Sequence, residues 1–531
     1  MDFNTLAFPC FFAAAALLYY CLPRVLRPAL LLAASYLFYL WNPQNRALAG
    51  VLLGATLVTW LCGLALGRLA NPWLRRAVLA VGCVFCLGGL FYFKYYNFFG
   101  QLLGGSGFVA LKLAAPLGLS YFSFQSLGYV IDCYRGKYPP VKNPIHYALF
   151  VSFFPCIFTG PIEHADHLIP QFSGKGRPWV NYDDISGGAF RMLWGYFKKM
   201  VLADHLAVFV KAYYSGAIAA GGPTQLLAAA LFSLQLYFDF SGCCDIAIGG
   251  ARLFGIRLLE NFDNPFLATS YNDLWKRWHK SLTGWFREYL YFSLGGSRCP
   301  VWRWALNFMA VFVFSGLWHG AAVEYLWWGI LCGVLVLAER LPQRLKKEFS
   351  SAAGGKHAPA AASAPTPAKP AAGGRQLRTA AAHRTGQARS HAAPAAAKES
   401  SVLPTIGRFA LNWLLRIVVF LEFSFCFIFF AASLYQAKDP AGCYTVLLSG
   451  WNAAGLLAAR TALELNGFTG ALAKVLVVGS LAVFAVESRG NVADWIRRQW
   501  FIIRWPLYLL LAAALLFFGV FGQSAFIYQL Y

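Results

Sequence analysis

The chain has 531 residues, of which 59% are hydrophobic and 13% charged, and its formal net charge is +23. Soluble domains carry roughly 25% charged residues, so water is not the main solvent for this polypeptide. Its basic residues sit in short clusters between apolar runs, a distribution that orients membrane segments and argues against a nucleic-acid partner.

Apolar stretches near the roughly 20 residues needed to cross a bilayer recur along the chain. In chain order they are 5–22, 28–41, 47–67, 77–99, 186–214, 225–250, 302–318, 321–340, 405–435, 470–487 and 505–522. In lipid each must satisfy its backbone internally, which predicts an all-α, polytopic bundle of about eleven spanning helices. The first stretch lacks a basic leader and a clear small-residue cleavage site, so it is read as a retained helix. Three further stretches, 108–133, 144–162 and 266–293, are apolar or aromatic but broken by Pro, Gly and charge. That pattern suits re-entrant or interfacial pieces lining a cavity.

The 13 cysteines lie mostly within apolar segments, and the close pair Cys83 and Cys86 has no nearby His. Packing thiols are expected, with no metal and no bound cofactor.

Composition divides the chain into N-terminal helices at 1–107, a core at 108–340, a linker at 341–404 and C-terminal helices at 405–531. The linker is rich in Ala, Pro, Gly and scattered base, without the periodicity of a packed core, and is expected to be disordered. Arg340 to Lys347 and Arg408 place it in the cytoplasm. Arg24 and Arg27, then Arg68, Arg75 and Arg76, fall on alternate loops. Both termini are therefore expected outside, with Tyr531 extracytoplasmic.

Two histidines stand out. His319 lies between Trp318 and Gly320 in a long apolar run, where an imidazole is costly to ionise and is a functional-site hypothesis by default. A structural His bonded to a backbone carbonyl is the competing explanation. Upstream, Trp275, His279, Leu282 and Phe286 are spaced 4, 3 and 4 and so predict one helical face. Lys276, Lys280 and Arg287 share another face, suiting an interfacial helix with its bases toward phosphates and His279 directed inward. A snorkelling amphipathic helix with an incidental His explains that segment as well.

These stretches resemble the membrane-bound O-acyltransferase family, and within it the bacterial branch that acetylates alginate and other polysaccharides or D-alanylates teichoic acids. The matching text includes PLGLSYFSFQSLGYVIDCYRG at 116–136, FFPCIFTGPIEHADHLIPQF at 153–172 and GYFKKMVLADHLA at 195–207. The most specific signal is WKRWHKSL at 275–282 followed by GLWHG at 316–320. The resemblance implies a bundle around a membrane tunnel, with the family's near-invariant His at His319 and its second polar position at His279. It also implies an acyl thioester, acetyl-CoA, entering from the cytoplasm of a bacterial inner-membrane protein, and a hydroxyl acceptor approaching from outside. A neutral His319 then serves as base and His279 orients the donor or stabilises developing charge. Trp275, Trp318, Tyr237, Asp239 and Asn264 are the remaining tunnel candidates, which helix packing explains about as well for Tyr237, Asp239 and Asn264. The loop GPIEHADHL at 160–168 departs from relatives that carry a base near Glu163 or His164, which puts a donor-phosphate role for this loop in question.

The ending FGVFGQSAFIYQLY at 518–531 is similar to the terminal motif of the polysaccharide-acetylating branch. That similarity implies Tyr528 as an acyl relay to an extracytoplasmic serine hydrolase-like partner and a polysaccharide acceptor, with Tyr531 able to share the role. An interfacial aromatic anchor is the alternative. Two other functions compete: D-alanyl transfer from a carrier protein, and a transporter or channel. No internal repeat relates the two halves, which weakens the transporter.

Overall fold

The structure is a computed structural model and describes Thr5 and residues 7–104, 107–174, 179–353 and 405–522. All regular structure in these residues is helical. Eight helices are long and apolar enough to cross a membrane: Ala49–Arg68, Pro72–Gly104, Gly222–Leu253, Val301–His319, Val323–Ser350, Gly407–Leu434, Gly470–Glu487 and Phe501–Phe518.

The count among the described residues is thus lower than the sequence led us to expect, for two physical reasons. The first two apolar stretches form Ala7–Cys21 and Arg27–Leu40, of 15 and 14 residues, short of a full crossing. The stretch at 186–214 lies in a continuous helical run, Tyr182–Tyr196, the π-helical Phe197–Ala203 and Asp204–Tyr214, that is set apart from the eight apolar helices by its charge. It carries Arg191, Lys198, Lys199 and Asp204, all buried and ion-paired, so protein rather than lipid surrounds it. A third difference is that Val323–Ala353 runs past Arg340, so the expected linker begins as helix; residues 354–404 lie outside the described set.

Gly222–Leu253 is the axis of the molecule. Within its apolar window 72% of residues are buried, against 6% for Phe501–Phe518, so the first is enclosed by protein while the second stands at the lipid-facing rim. The neighbouring Tyr182–Tyr196 approaches it backbone to backbone. A Cβ at Gly188 would lie 2.6 Å from the Gly249 oxygen and one at Gly195 2.5 Å from that of Gly242. Small residues at such crossings replace the hydrophobic force that lipid does not supply.

Two apolar cores share this axis. Phe240, Cys243, Ile246 and Phe254 pack with the N-terminal helices, whereas Phe232, Leu236 and Phe238 pack with Trp328, Phe423 and Phe427. The seam between the cores passes through both histidine segments. Trp278 belongs to one core and Leu282 to the other, and Phe312 and Trp318 divide in the same way.

Candidate functional site

His319 is the last residue of Val301–His319, and Gly320 leaves the helix in extended conformation. The helix turns back at once into Val323–Ala353, which it can do because Gly316 and Gly329 face one another's backbones; a Cβ on either would collide with the partner helix. The last carbonyls of such a helix have no intrahelical partner. Here they are met from another span: Lys94 Nζ donates to the oxygens of Trp318 at 2.6 Å and His319 at 3.3 Å, and Tyr95 donates to that of Leu317 at 2.6 Å. Both donors come from the π-helical turn Phe91–Tyr95 inside the long helix ending at Gly104. Insertions of this kind re-aim side chains and recur at functional sites.

His279 does not lie on a continuous helix, which corrects the one-face reading of Trp275, His279, Leu282 and Phe286. The chain forms Tyr271–Arg277, breaks, and resumes as Lys280–Trp285, with His279 between them at φ +42°. A non-glycine residue in the left-handed region stores strain, and such strain collects where geometry matters to function.

Asn261 holds this break. Its Oδ1 lies 3.1 Å from His279 Nδ1 and accepts the Ser281 N–H at 3.2 Å and the Ser281 hydroxyl at 2.9 Å. Because a main-chain N–H fixes that atom as oxygen, His279 must present Nδ1–H to it. Burial pushes the His279 imidazole well below its ordinary value, so the ring is neutral with its lone pair on Nε2.

The two imidazoles line one cavity of about 320 Å³. Its wall is largely aromatic, with Trp275, Trp278, Phe286, Phe308 and Phe312; behind it the Trp318 ring centre is 4.9 Å from His319 and 6.0 Å from His279, and Trp328 and Phe430 stand 4.9 and 5.3 Å from His319. The cavity is also lined by three bases, Lys276, Arg287 and Arg340, the last packed over Phe308. An apolar recess holding two imidazoles thus meets a cationic patch, an arrangement that can bind an anion while a bond is broken deeper in the cavity.

The other candidates separate into two groups. Trp275 lines the same cavity, and Trp318 packs edge-on against both imidazoles from outside its lining. Tyr237, Asp239 and Asn264 belong to buried polar networks instead. Tyr237 donates to Glu487 at 2.5 Å, Asp239 pairs with Lys199 at 2.6 Å, and Asn264, also in the left-handed region, donates to the Glu487 main chain at 2.7 Å. Asn264 lines a second cavity, of about 270 Å³, that shares Asn261 with the histidine site. Tyr528 and Tyr531 lie outside the described residues.

Sequence reasoning missed Asn261, Lys94, Tyr95 and Arg340. For Lys94 a signal existed: it is a lone charge within an apolar span, and such residues mark function. Asn261, three residues from the Asn264 that was singled out, carried no comparable sign.

The profile of the MBOAT, membrane-bound O-acyltransferase family, matches residues 116–357, which hold both histidines. A probable alginate O-acetylase of Azotobacter vinelandii is 36% identical over 336 residues, covering 61% of this chain and 65% of that protein. One from Pseudomonas putida is 36% identical over 333 residues, 61% of this chain and 67% of the relative. A peptidoglycan O-acetyltransferase of Helicobacter pylori is 33% identical over 347 residues, 60% and 65% respectively. The chain belongs to the membrane-bound O-acyltransferase family. It spans just under two thirds of the length of the Azotobacter and Helicobacter relatives.

Proposed function

We propose that this protein is an O-acyltransferase of a bacterial inner membrane that moves acetyl from acetyl-CoA toward an extracytoplasmic polysaccharide. The observation that carries this reading is the pairing, in one cavity, of two imidazoles with the bases Lys276, Arg287 and Arg340. The bases suit the phosphates of the donor, and Arg340 stands where the basic linker begins, on the side that the charge pattern makes cytoplasmic.

The chemistry follows from the residues. His319 takes the proton of an acceptor hydroxyl as its oxygen attacks the thioester carbonyl. The C–S bond breaks as the ester C–O bond forms, and the thiolate leaves as thiol with the proton from the imidazolium. His279, neutral and fixed by Asn261, orients the thioester. The enclosing rings of Trp318, Trp328 and Phe430 exclude water and strengthen each polar contact.

The first acceptor is Tyr528, which passes acetyl to an extracytoplasmic serine hydrolase-like partner and from there to the polymer; both termini lie outside the membrane in this scheme. Acetyl is favoured over D-alanyl because the relatives described above are named for acetylation. The test is polymer acetylation in cells carrying His319→Ala at wild-type protein level. Loss of polymer-bound acetate is expected, and an unchanged amount would remove the proposed base.

A further inference from the structure

A cavity of about 350 Å³ lies apart from the histidines, beside the junction of Ala7–Cys21 with Arg27–Leu40. Its walls hold three guanidiniums, of Arg24, Arg27 and Arg257, and one carboxylate, Asp184. That carboxylate is already engaged: Arg252 Nε donates to it at 3.3 Å, Asn181 at 2.9 Å, and Arg257 lies 3.9 Å away.

Arg27 is the informative residue. It is 7% exposed and lies between two rings, its guanidinium 4.5 Å from the centre of Tyr19 and 4.3 Å from that of Trp179. Nε and Nη1 donate to main-chain oxygens of Leu22 and Trp179, at 3.3 and 3.5 Å, both long. Among the described residues Nη2 is buried with no hydrogen-bond partner and no carboxylate pairs with this guanidinium. A desolvated cation without a counter-ion is unfavourable, and the planar fork of donors matches a phosphate.

The surroundings indicate where such a phosphate comes from. The junction is basic, bears Tyr19, Tyr20 and Trp179 as an interfacial aromatic girdle, and adjoins the exposed Leu17, Leu18, Val25 and Leu26. Basic recesses between spans at the bilayer edge hold anionic headgroups. We infer that this cavity seats the phosphate of an anionic phospholipid between Arg24, Arg27 and Arg257, with the acyl chains lying along the apolar face of the first helix. The lipid supplies the counter-charge that Arg27 lacks and ties the N-terminal helices to Trp179 and Asn181.

The test uses the full chain in nanodiscs of phosphatidylglycerol or phosphatidylcholine, with unfolding midpoints measured in each, and a third arm of phosphatidylcholine plus millimolar inorganic phosphate. The wild type is expected to melt several degrees higher in phosphatidylglycerol and to gain nothing from inorganic phosphate. Arg24 and Arg257 are exposed, so the double variant Arg24→Gln, Arg257→Gln is expected to match wild type in phosphatidylcholine and to lose the anionic-lipid increment. Equal midpoints for wild type in the two lipids, or an increment that survives in the double variant, would overturn the site. An increment reproduced by inorganic phosphate would overturn the lipid as its source. None of these readouts depends on catalysis.

Discussion

Asn261 Oδ1 lies 3.1 Å from Nδ1 of His279, and the same oxygen accepts two bonds from Ser281. One amide therefore sets the ring's tautomer, its orientation and the unusual backbone on which it sits. Replacing Asn261 by Leu is expected to lower acetyl transfer about 10- to 100-fold, by analogy with the loss of groups that orient metal-bound imidazoles. The loss should fall on kcat more than on KM, measured with purified protein and labelled acetyl-CoA. Unchanged kcat would mean that Asn261 only shapes the loop.

Lys94 fastens the other histidine. With Tyr95 it satisfies three main-chain oxygens at the end of the helix that carries His319. Lys94→Met leaves two of them without that donor, at about 1–3 kcal/mol for a buried polar group. Carried into the barrier, that cost lowers transfer by about 5- to 150-fold, with partial recovery in Lys94→Arg. Equal activities in the three proteins would show that the contact does not position the site.

Glu487 joins the C-terminal helices to the core, accepting from Lys198 at 2.8 Å, Tyr237 at 2.5 Å and Trp194 at 3.0 Å. Lys198 also contacts Asp245 at 2.5 Å, inside a cluster that includes the bidentate pair of Arg191 with Glu260. Removing one partner from such a buried network destabilises by roughly 3–5 kcal/mol. Glu487→Leu should therefore unfold at a clearly lower temperature in detergent, and proteolysis should release the C-terminal helices first. A midpoint within error of wild type would contradict this role.

A pH effect is expected away from the histidine cavity. His167 Nδ1 lies 2.7 Å from Glu163, and that bond raises the His167 pKa above its ordinary 6.5. A raised folded-state value means that the stabilisation is complete below 6.5 and is lost as pH climbs through the higher folded value. His167 is partly exposed, so the effect is modest. The difference in unfolding midpoint between wild type and His167→Gln should shrink from about pH 6 to about pH 9. A difference constant with pH would exclude the pair as its source.

The membrane class, the longer spans and the two histidines were legible because each depends on local signals: length, apolarity and an ionisable group within an apolar run. The break at His279 was not. A spacing of 4, 3 and 4 is what a helix gives, and the left-handed turn that interrupts it depends on Asn261, eighteen residues away in sequence. Likewise, nothing in 186–214 alone shows that its four buried charges find partners on the central helix and elsewhere. Tyr237 and Asp239 were drawn toward the tunnel by their sequence context, whereas their contacts with Glu487 and Lys199 cross from one helix to another. Partners of that kind have no signature in a single sequence.

The account stands on the two imidazoles acting in one cavity. Its most direct test is to incubate the purified wild-type protein and His319→Ala with labelled acetyl-CoA and to follow the label by mass spectrometry on the C-terminal peptide that contains Tyr528. Label on the wild-type peptide and none on the variant is the expected result. Equal labelling of the two proteins would contradict the role given to His319.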